Sequence, residues 1–545
     1  MTSATATIVD VPLLARRREL LLAAGLTAAF AGLLVLIGPA PGDAPAHLYR
    51  TLLVRHGAFV WDNYWYEGNY PLASYSLLYY LPAALVGNLP LVFAASVVST
   101  MLFSSIALRE WGSAALWPSR VFGVLAAAPL FTGLYAYSLG FTTMLGALKA
   151  LQTRRAWLAI LLALLTVGFS PLAFAFLCLV LAAVFVERRK LSRRTVVMAA
   201  GLAAVAGIEL LALLLFRSNQ GVYPFHGIDF AGVLATCILG GLVARRSRAA
   251  TTLVSFYALW ALGSVFFFVV PTPLGDNWTR LGAFALPIMM LTASLAGFRP
   301  RRLVMLALAV AFAYNITPYV LLIPSRLDNR PASAAFWQPV VRYLDRHAQP
   351  GYRVEVVPTA AHWESYWIPK SGFPLARGWY RQLDTVDNPT LYRKHLNARA
   401  YVAWLRESAV QYVLLPSTSL DWDGGPQEAK VLQSRASGLR VVFRSRDWTI
   451  YRLPHPTPLV TGPGHARVTQ FGHTTIRGVV SKPGTYLLRA HYNPYWKLSG
   501  KGCIATGPAQ MTWLRLAKPG PFALSVSDSP DRLLDALTAK HPARC

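Results

Sequence analysis

Residues 20–50, LLLAAGLTAAFAGLLVLIGPAPGDAPAHLYR, hold the reading that decides the fold. Leu20 to Ile37 is an uncharged apolar run long enough to cross a hydrocarbon core of about 30 Å as a helix. In the polar stretch after it, Gly42-Asp43-Ala44-Pro45-Ala46-His47-Leu48-Tyr49-Arg50, Asp43 opens an aromatic-rich loop that runs to about Pro71. A carboxylate is expensive to keep dry at the mouth of a membrane helix, so Asp43 is expected to face water, an ion or a substrate. Arg16, Arg17 and Arg18 precede the run and give it the look of a secretory signal. No small-x-small cleavage site follows and many more apolar runs do, so it reads as a retained first helix.

The rest of the chain supports that reading. Of its 545 residues, 54% are hydrophobic and 14% charged, both outside the soluble range in the direction of an integral membrane protein. Apolar runs recur from Leu20 to Ile323. The formal charge of +28 suggests nucleic-acid binding, but its arrangement argues against that function. The basic clusters are Arg16-Arg17-Arg18, Arg154-Arg155, Arg188-Arg189-Lys190 with Arg193-Arg194, Arg245-Arg246 with Arg248, and Arg301-Arg302, and each borders an apolar run. This is the positive-inside pattern, which holds such loops on the cytoplasmic face.

The expected fold class is therefore a polytopic α-helical membrane protein of about eleven transmembrane helices with a C-terminal extracytoplasmic region. The expected crossings are 20–39, one in the stretch 72–108 after a short interfacial helix, two between 121 and 150, two between 156 and 187, and five near 195–216, 230–244, 250–270, 280–297 and 303–322. Gly133 to Gly140 and Gly168-Phe169-Ser170-Pro171 interrupt two of these pairs at their outer turns. Such breaks either line a cavity or are simple tight turns. The expected domains are a transmembrane part at 1–324 with its first outer loop at 40–72, an extracytoplasmic α/β part at 325–460, and a β-rich, sandwich-like part at 461–545. Periodicity predicts helices at Phe336–His347 and Leu391–Glu407. Strands are predicted at Tyr352–Pro358, Gln411–Pro416, Leu439–Phe443, Trp448–Leu453, Gly484–Ala490 and Met511–Leu516. Cys503 and Cys545 fall in this region, where an oxidising compartment allows them to pair, while Cys178 and Cys237 fall in apolar runs.

The first outer loop holds His47, Arg50, Arg55, His56, Asp62 and Glu67 among Tyr49, Trp61, Tyr64, Trp65, Tyr66 and Tyr70. Aromatic faces stack on sugar rings or prenyl units, carboxylates accept hydroxyl protons or coordinate a divalent cation, and Arg clamps phosphate oxygens. These are the parts needed to move a sugar from a lipid phosphate to an acceptor hydroxyl. Asp43 is the candidate base, with Asp62 as the rival catalytic residue; the bland alternative for Asp43 is a helix-end carboxylate ahead of Ala44-Pro45. The candidate substrate-binding residues are His47, Arg50, Arg55, His56, Trp61, Trp65, Tyr66, Glu67, His226 and Arg280, although interfacial aromatics also gather at membranes for anchoring alone. Arg217, Tyr223 and Asp229 beside His226, and Asp276 and Asn277 beside Arg280, occupy two further outer loops. No GxxxxGK[ST], HExxH or GxSxG arrangement is present, which sets aside the common ATP-driven, zinc-protease and α/β-hydrolase readings.

This organisation resembles the GT-C superfamily of polyprenyl-phosphate-dependent membrane glycosyltransferases, whose first outer loop bears an acidic catalytic residue soon after the first span. Asp43 matches that position, and WDNYWYEGNYPLASYSLLYY (61–80) looks like the loop and interfacial helix. GDAPAHLYR, that segment, and PLARGWYRQLD (374–384) look like actinobacterial multi-span proteins related to the superfamily. The resemblance implies a polyprenyl-phosphate sugar donor, an envelope glycan or lipid acceptor, membrane lipids as surroundings, and a place in the cytoplasmic membrane with the C-terminal domain outside. The loop departs from relatives with paired acids, because Asp62 and Glu67 lie 19 and 24 residues beyond Asp43. No metal ligands are assigned; a divalent cation and a metal-independent mechanism both stay open. The competing readings are a transporter or flippase for an envelope lipid or glycan, and a scaffold that binds an envelope enzyme. The C-terminal run His491-Tyr492-Asn493-Pro494-Tyr495-Trp496 either captures carbohydrate or fills the core of a small sandwich.

Overall fold

A computed structural model describes residues 11–69, 75–188, 193–215, 221–326, 328–526, 529–531, 534 and 545. The chain divides into two compact units. The first comprises Met1–Ala44, Tyr75–Ala212 and Val222–Leu327, and the second Pro45–Ser74, Leu213–Gly221 and Asp328–Cys545.

The first unit is helical. Among the described residues, seven helical tracts are long and apolar enough to cross a membrane: Leu13–Ile37, Asn88–Thr132, Val196–Leu214, Gly227–Ala244, Ala250–Val269, Gly275–Leu295 and Arg301–Ile323. This corrects the expected count of about eleven. The helices Ala156–Phe169 and Pro171–Glu187 are apolar but short. At about 1.5 Å per residue the first of them rises about 21 Å, well under the thickness of a hydrocarbon core. The helix Tyr135–Gln152 carries Ser138, Thr142, Thr143 and Lys149, which lower its hydropathy. Counting every apolar run between basic joints as a crossing therefore counted too many. The seven tracts are the pattern of a multi-pass membrane protein.

Several polar side chains inside this bundle are paired, which offsets the cost of burying them. Glu19, 6% exposed, takes a forked ion pair from Arg120 at 2.6 and 2.9 Å. The hydroxyls of Thr27 and Thr100 meet at 2.8 Å, and those of Ser99 and Thr142 at 2.7 Å. Because the first helix begins at Leu13, Arg16, Arg17 and Arg18 lie within it instead of ahead of it.

The second unit combines helices with three sheets. The first sheet has the order β1-β2-β4-β3, built from β1 (Arg353–Val356), β2 (Val410–Pro416), β3 (Arg440–Arg444) and β4 (Trp448–Arg452). β1 and β2 are parallel and the other pairs antiparallel. The helix Ala334–His347 precedes this sheet, and Ala398–Glu407 leads into β2. The predicted single helix from Leu391 is instead a turn at Pro389–Tyr392 followed by a new helix, Ala398–Glu407, whose Ala400 N–H donates to the capping Asn397 side chain at 2.7 Å. Arg377 is buried at the centre of this part. Its guanidinium reaches Glu355 at 2.9 Å, Glu428 at 2.7 Å and Asp384 at 3.4 Å.

Eight further strands follow: β5 (Val460–Thr461), β6 (Ala466–Phe471), β7 (Thr475–Val480), β8 (Gly484–His491), β9 (Trp496–Ser499), β10 (Gly502–Thr506), β11 (Met511–Leu516) and β12 (Gly520–Val526). They form two antiparallel sheets, β10-β11-β8-β5 and β6-β7-β12-β9. Alternate residues of each, including Tyr486, Leu488 and Leu514 from one and Ile476, Phe522 and Leu524 from the other, share one core. Trp496 lies in that core at 0% exposure, so this aromatic fills the sandwich.

Cys503 and Cys545 form a disulfide across 42 residues of sequence. Replacing Cys503 with Ser is expected to lower stability by about 2–4 kcal/mol, since the bond restricts the unfolded chain. Thermal unfolding with and without reductant checks this: the midpoint of wild type should fall on reduction to that of the variant. An unchanged midpoint would contradict it.

Candidate functional site

In the first unit, Asp43 and Arg280 are brought together across most of the membrane sequence. An Asp43 carboxylate oxygen lies 4.0 Å from an Arg280 guanidinium nitrogen, with the side chains 23% and 19% exposed. The contact is long for an ion pair. The Arg280 guanidinium also faces the Tyr75 ring, 6.0 Å from its centroid.

Local backbone structure holds Asp43 in place. Its N–H donates to the Thr132 carbonyl at 3.1 Å, in the turn between the helices Pro129–Thr132 and Tyr135–Gln152. Gly133 follows with φ +90°, and a Cβ there would stand 2.6 Å from the Asp43 nitrogen and 2.8 Å from that of Ala44. Glycine is needed at Gly133 for both the conformation and the approach. The helix Ala44–Arg55 begins at the next residue, so Asp43 also occupies the helix-end position anticipated for it.

The other outer residues of this unit are placed as follows. His226 is exposed just ahead of the helix Gly227–Ala244, which carries Asp229 in its first turn. Asp276 lies in the first turn of the 3₁₀ run Gly275–Phe284 that contains Arg280, and one of its carboxylate oxygens is buried with no hydrogen bond among the described residues. The Tyr223 N–H donates to the Thr272 carbonyl at 3.1 Å, joining the two loops, and the Asn277 N–H donates to the Leu274 carbonyl. Arg217 lies outside the described residues, as do Tyr70 and part of the expected interfacial segment.

The loop aromatics and Asp62 belong to the second unit, where most are buried. Trp65, 0% exposed, donates its indole N–H to the Ser365 carbonyl at 3.0 Å, and the Tyr66 hydroxyl donates to the Tyr380 carbonyl at 2.9 Å. Gly378 makes this packing possible, because a Cβ there would stand 2.5 Å from the Tyr66 ring and 2.9 Å from that of Trp65. Arg50 is buried and donates to the Tyr380 hydroxyl at 3.2 Å, while His47 is buried on the same helix. Arg55 and His56 are exposed at its end. Trp61 is half-buried and donates to Asn63 at 2.9 Å.

Asp62 is fully buried. Its carboxylate accepts from the Tyr49 hydroxyl at 2.8 Å and contacts His473 Nδ1 at 2.9 Å, and Tyr64 packs on the His473 ring with centroids 4.1 Å apart. His473 had no sequence signal: it is a lone histidine in a turn, 411 residues from its partner. Glu67 lies 4.0 Å from the fully buried Arg353. Burial raises the Glu67 carboxyl against the pull of Arg353, and burial likewise lowers the Arg353 guanidinium to about 10, opposed by Glu67. Tyr66 and Glu67 have φ of 49° and 56°, a left-handed backbone that this packing holds in place.

No three or more His, Cys, Asp or Glu side chains among the described residues are grouped so as to hold a metal ion.

No family model matches the chain, and no curated protein matches its sequence. Among solved structures it is similar to the arabinofuranosyltransferase AftD from Mycobacteria, seen by single-particle cryo-EM, with TM-score 0.48 and 14% identity over 96% of this chain and 61% of that one. It thus spans about three fifths of the length of that relative. It is also similar to ArnT from Cupriavidus metallidurans, crystallised with undecaprenyl phosphate, with TM-score 0.39 and 11% identity over 81% of this chain and 98% of that one. At these identities and TM-scores the likenesses assign neither a family nor an activity to this chain.

Proposed function

We propose that this protein transfers a sugar from a polyprenyl-phosphate donor to a hydroxyl of a cell-envelope glycan or lipid on the outer face of the membrane. The observation that carries the proposal is the meeting of Asp43 and Arg280, each about one-fifth exposed, beside the ends of apolar helices. A carboxylate and a guanidinium so placed supply the two groups the reaction needs. Asp43 takes the proton of the acceptor hydroxyl as its oxygen bonds to the anomeric carbon. The bond from that carbon to the phosphate oxygen breaks, and its electron pair leaves with the lipid phosphate, whose charge Arg280 stabilises. The Asp276 carboxylate and His226, at the heads of neighbouring segments, border the sugar. Trp65, Tyr66, Arg50 and Asp62 act by fixing the loop.

The arginine clusters that border the apolar runs support an outer position for Asp43. The Cys503–Cys545 disulfide supports placing the C-terminal region in an oxidising compartment.

The proposal is tested by incubating the purified protein in lipid nanodiscs with radiolabelled polyprenyl-phosphate sugars and envelope acceptors, with and without divalent cations. Labelled acceptor should appear together with an equal amount of free polyprenyl phosphate. Movement of intact donor between leaflets without cleavage would replace the proposal with a flippase. Gly133→Val is expected to lower turnover about 10²-fold, since displacing a catalytic group by about 1 Å has that effect. Donor binding should be retained in this variant; wild-type turnover would show that the Gly133 turn does not position Asp43.

A further inference from the structure

Among the described residues of the second unit, Trp422 is the one exposed tryptophan, at 72%. It stands in the loop after β2 between two carboxylates, Asp421 and Asp423. The loop is held firmly. The Asp421 N–H donates to the Pro358 carbonyl at 2.8 Å, and the buried Asp421 carboxylate is gripped by Arg381, with one contact at 3.2 Å, and by His362 Nε2 at 3.4 Å. The Arg381 guanidinium lies 4.9 Å from the centre of the indole. Asp423 is half-exposed and makes no hydrogen bond or ion pair among the described residues.

A small, partly open recess is lined by His362 together with Glu355, Glu364, Arg377, Asp384 and apolar residues. Its enclosed depth has room for about one water molecule. One oxygen of Glu355, a residue 1% exposed, has no hydrogen-bond partner among the described residues. A polar oxygen buried at such depth is costly to leave without a donor. Glu364 is by contrast fully engaged, accepting from Thr359 at 2.7 and 3.1 Å and contacting His362 at 3.1 Å. Although burial pulls the His362 imidazole down, Asp421 and Glu364 carry it up to about 9, so it is charged at neutral pH.

We propose that this face binds a neutral oligosaccharide, with one sugar ring stacked on Trp422, its hydroxyls bonded to Asp423 and Arg381, and a hydroxyl donor entering the recess at Glu355. An indole supplies an apolar face for the C–H side of a sugar ring, and planar carboxylate and guanidinium groups match its hydroxyls. The carboxylates Glu364, Asp384, Asp421 and Asp423 outnumber the cations Arg377, Arg381 and His362, which disfavours an acidic saccharide. The site is separate from the transfer chemistry proposed above, and its binding does not require Asp43.

The full chain in nanodiscs is titrated with malto-, cello-, manno- and arabino-oligosaccharides, following tryptophan fluorescence and heat. At least one series should bind and quench wild type. Trp422→Ala should weaken that binding about tenfold or more, Trp422→Phe by less, and Glu355→Gln measurably, with thermal midpoints for both Trp422 variants unchanged. Asp43→Asn should bind as wild type does, so failure of transfer and failure of this proposal are told apart. Binding of no series, or equal binding by wild type and Trp422→Ala, overturns the proposal. So does quenching of Trp422 by brominated phospholipid, which would make it a membrane anchor.

Discussion

Asp43→Asn is expected to lower sugar transfer by about 10²–10⁴-fold, the range supplied by a positioned general base. The amide keeps the shape of the side chain and leaves the backbone bond to Thr132 in place, so the fold and donor affinity should be retained. The loss should therefore appear in turnover, with little change in the donor concentration that half-saturates the enzyme. If Asp43 were only a helix-end carboxylate ahead of Ala44, an amide would serve nearly as well there and turnover would stay near wild type. A stopped assay of labelled acceptor, run beside a thermal unfolding curve, separates the two outcomes.

The largest effect on stability is expected in the second unit. Arg377 is 6% exposed and its guanidinium bonds Glu355, Glu428 and Asp384. Arg377→Met removes the cation and leaves buried carboxylates without it, which should cost about 3–5 kcal/mol. The cost should depend on pH in a definite direction. Burial raises both glutamates, Glu428 to about 7, with Arg377 acting in opposition. A carboxyl raised in the folded state binds more protons there than in the unfolded chain. Its contribution to stability is therefore best at low pH and declines as pH rises from the ordinary carboxylate range through about 7. Without Arg377 that decline should steepen, so the variant should lie closer to wild type at about pH 5 than at about pH 8. Unfolding midpoints of both proteins across this interval measure the effect; a loss that is the same at every pH would contradict it.

How far these features could be read from the chain depended on the range of the interaction. Apolar runs and arginine clusters are local, and they marked the helical region and Asp43 at its edge. Helix length is also local, yet the short helices Ala156–Phe169 and Pro171–Glu187 passed as crossings because the basic joints were weighed more heavily than the rise of each helix. Alternation revealed β8 and β11 of the sandwich, since one face of each is buried, while its other six strands were not predicted. The fate of the first outer loop was not legible. Trp65 and Tyr66 have the composition of a ligand-binding loop, but their partners Ser365 and Tyr380 lie 300 and 314 residues away. The Asp62–His473 contact and the packing of Gly378 on the loop depend on the same long-range closure. Arg280 was singled out only by its place at the head of a span; its approach to Asp43 required the tertiary structure.

Native mass spectrometry of polyprenyl phosphate bound to the purified protein tests most directly whether Arg280 receives the lipid phosphate while Asp43 acts on the acceptor. Wild type and Asp43→Asn should each retain one lipid phosphate with similar affinity, and Arg280→Gln should bind it at least tenfold more weakly while keeping its thermal midpoint. Equal retention by all three proteins, or no specific retention by any of them, would contradict the assignment of this site.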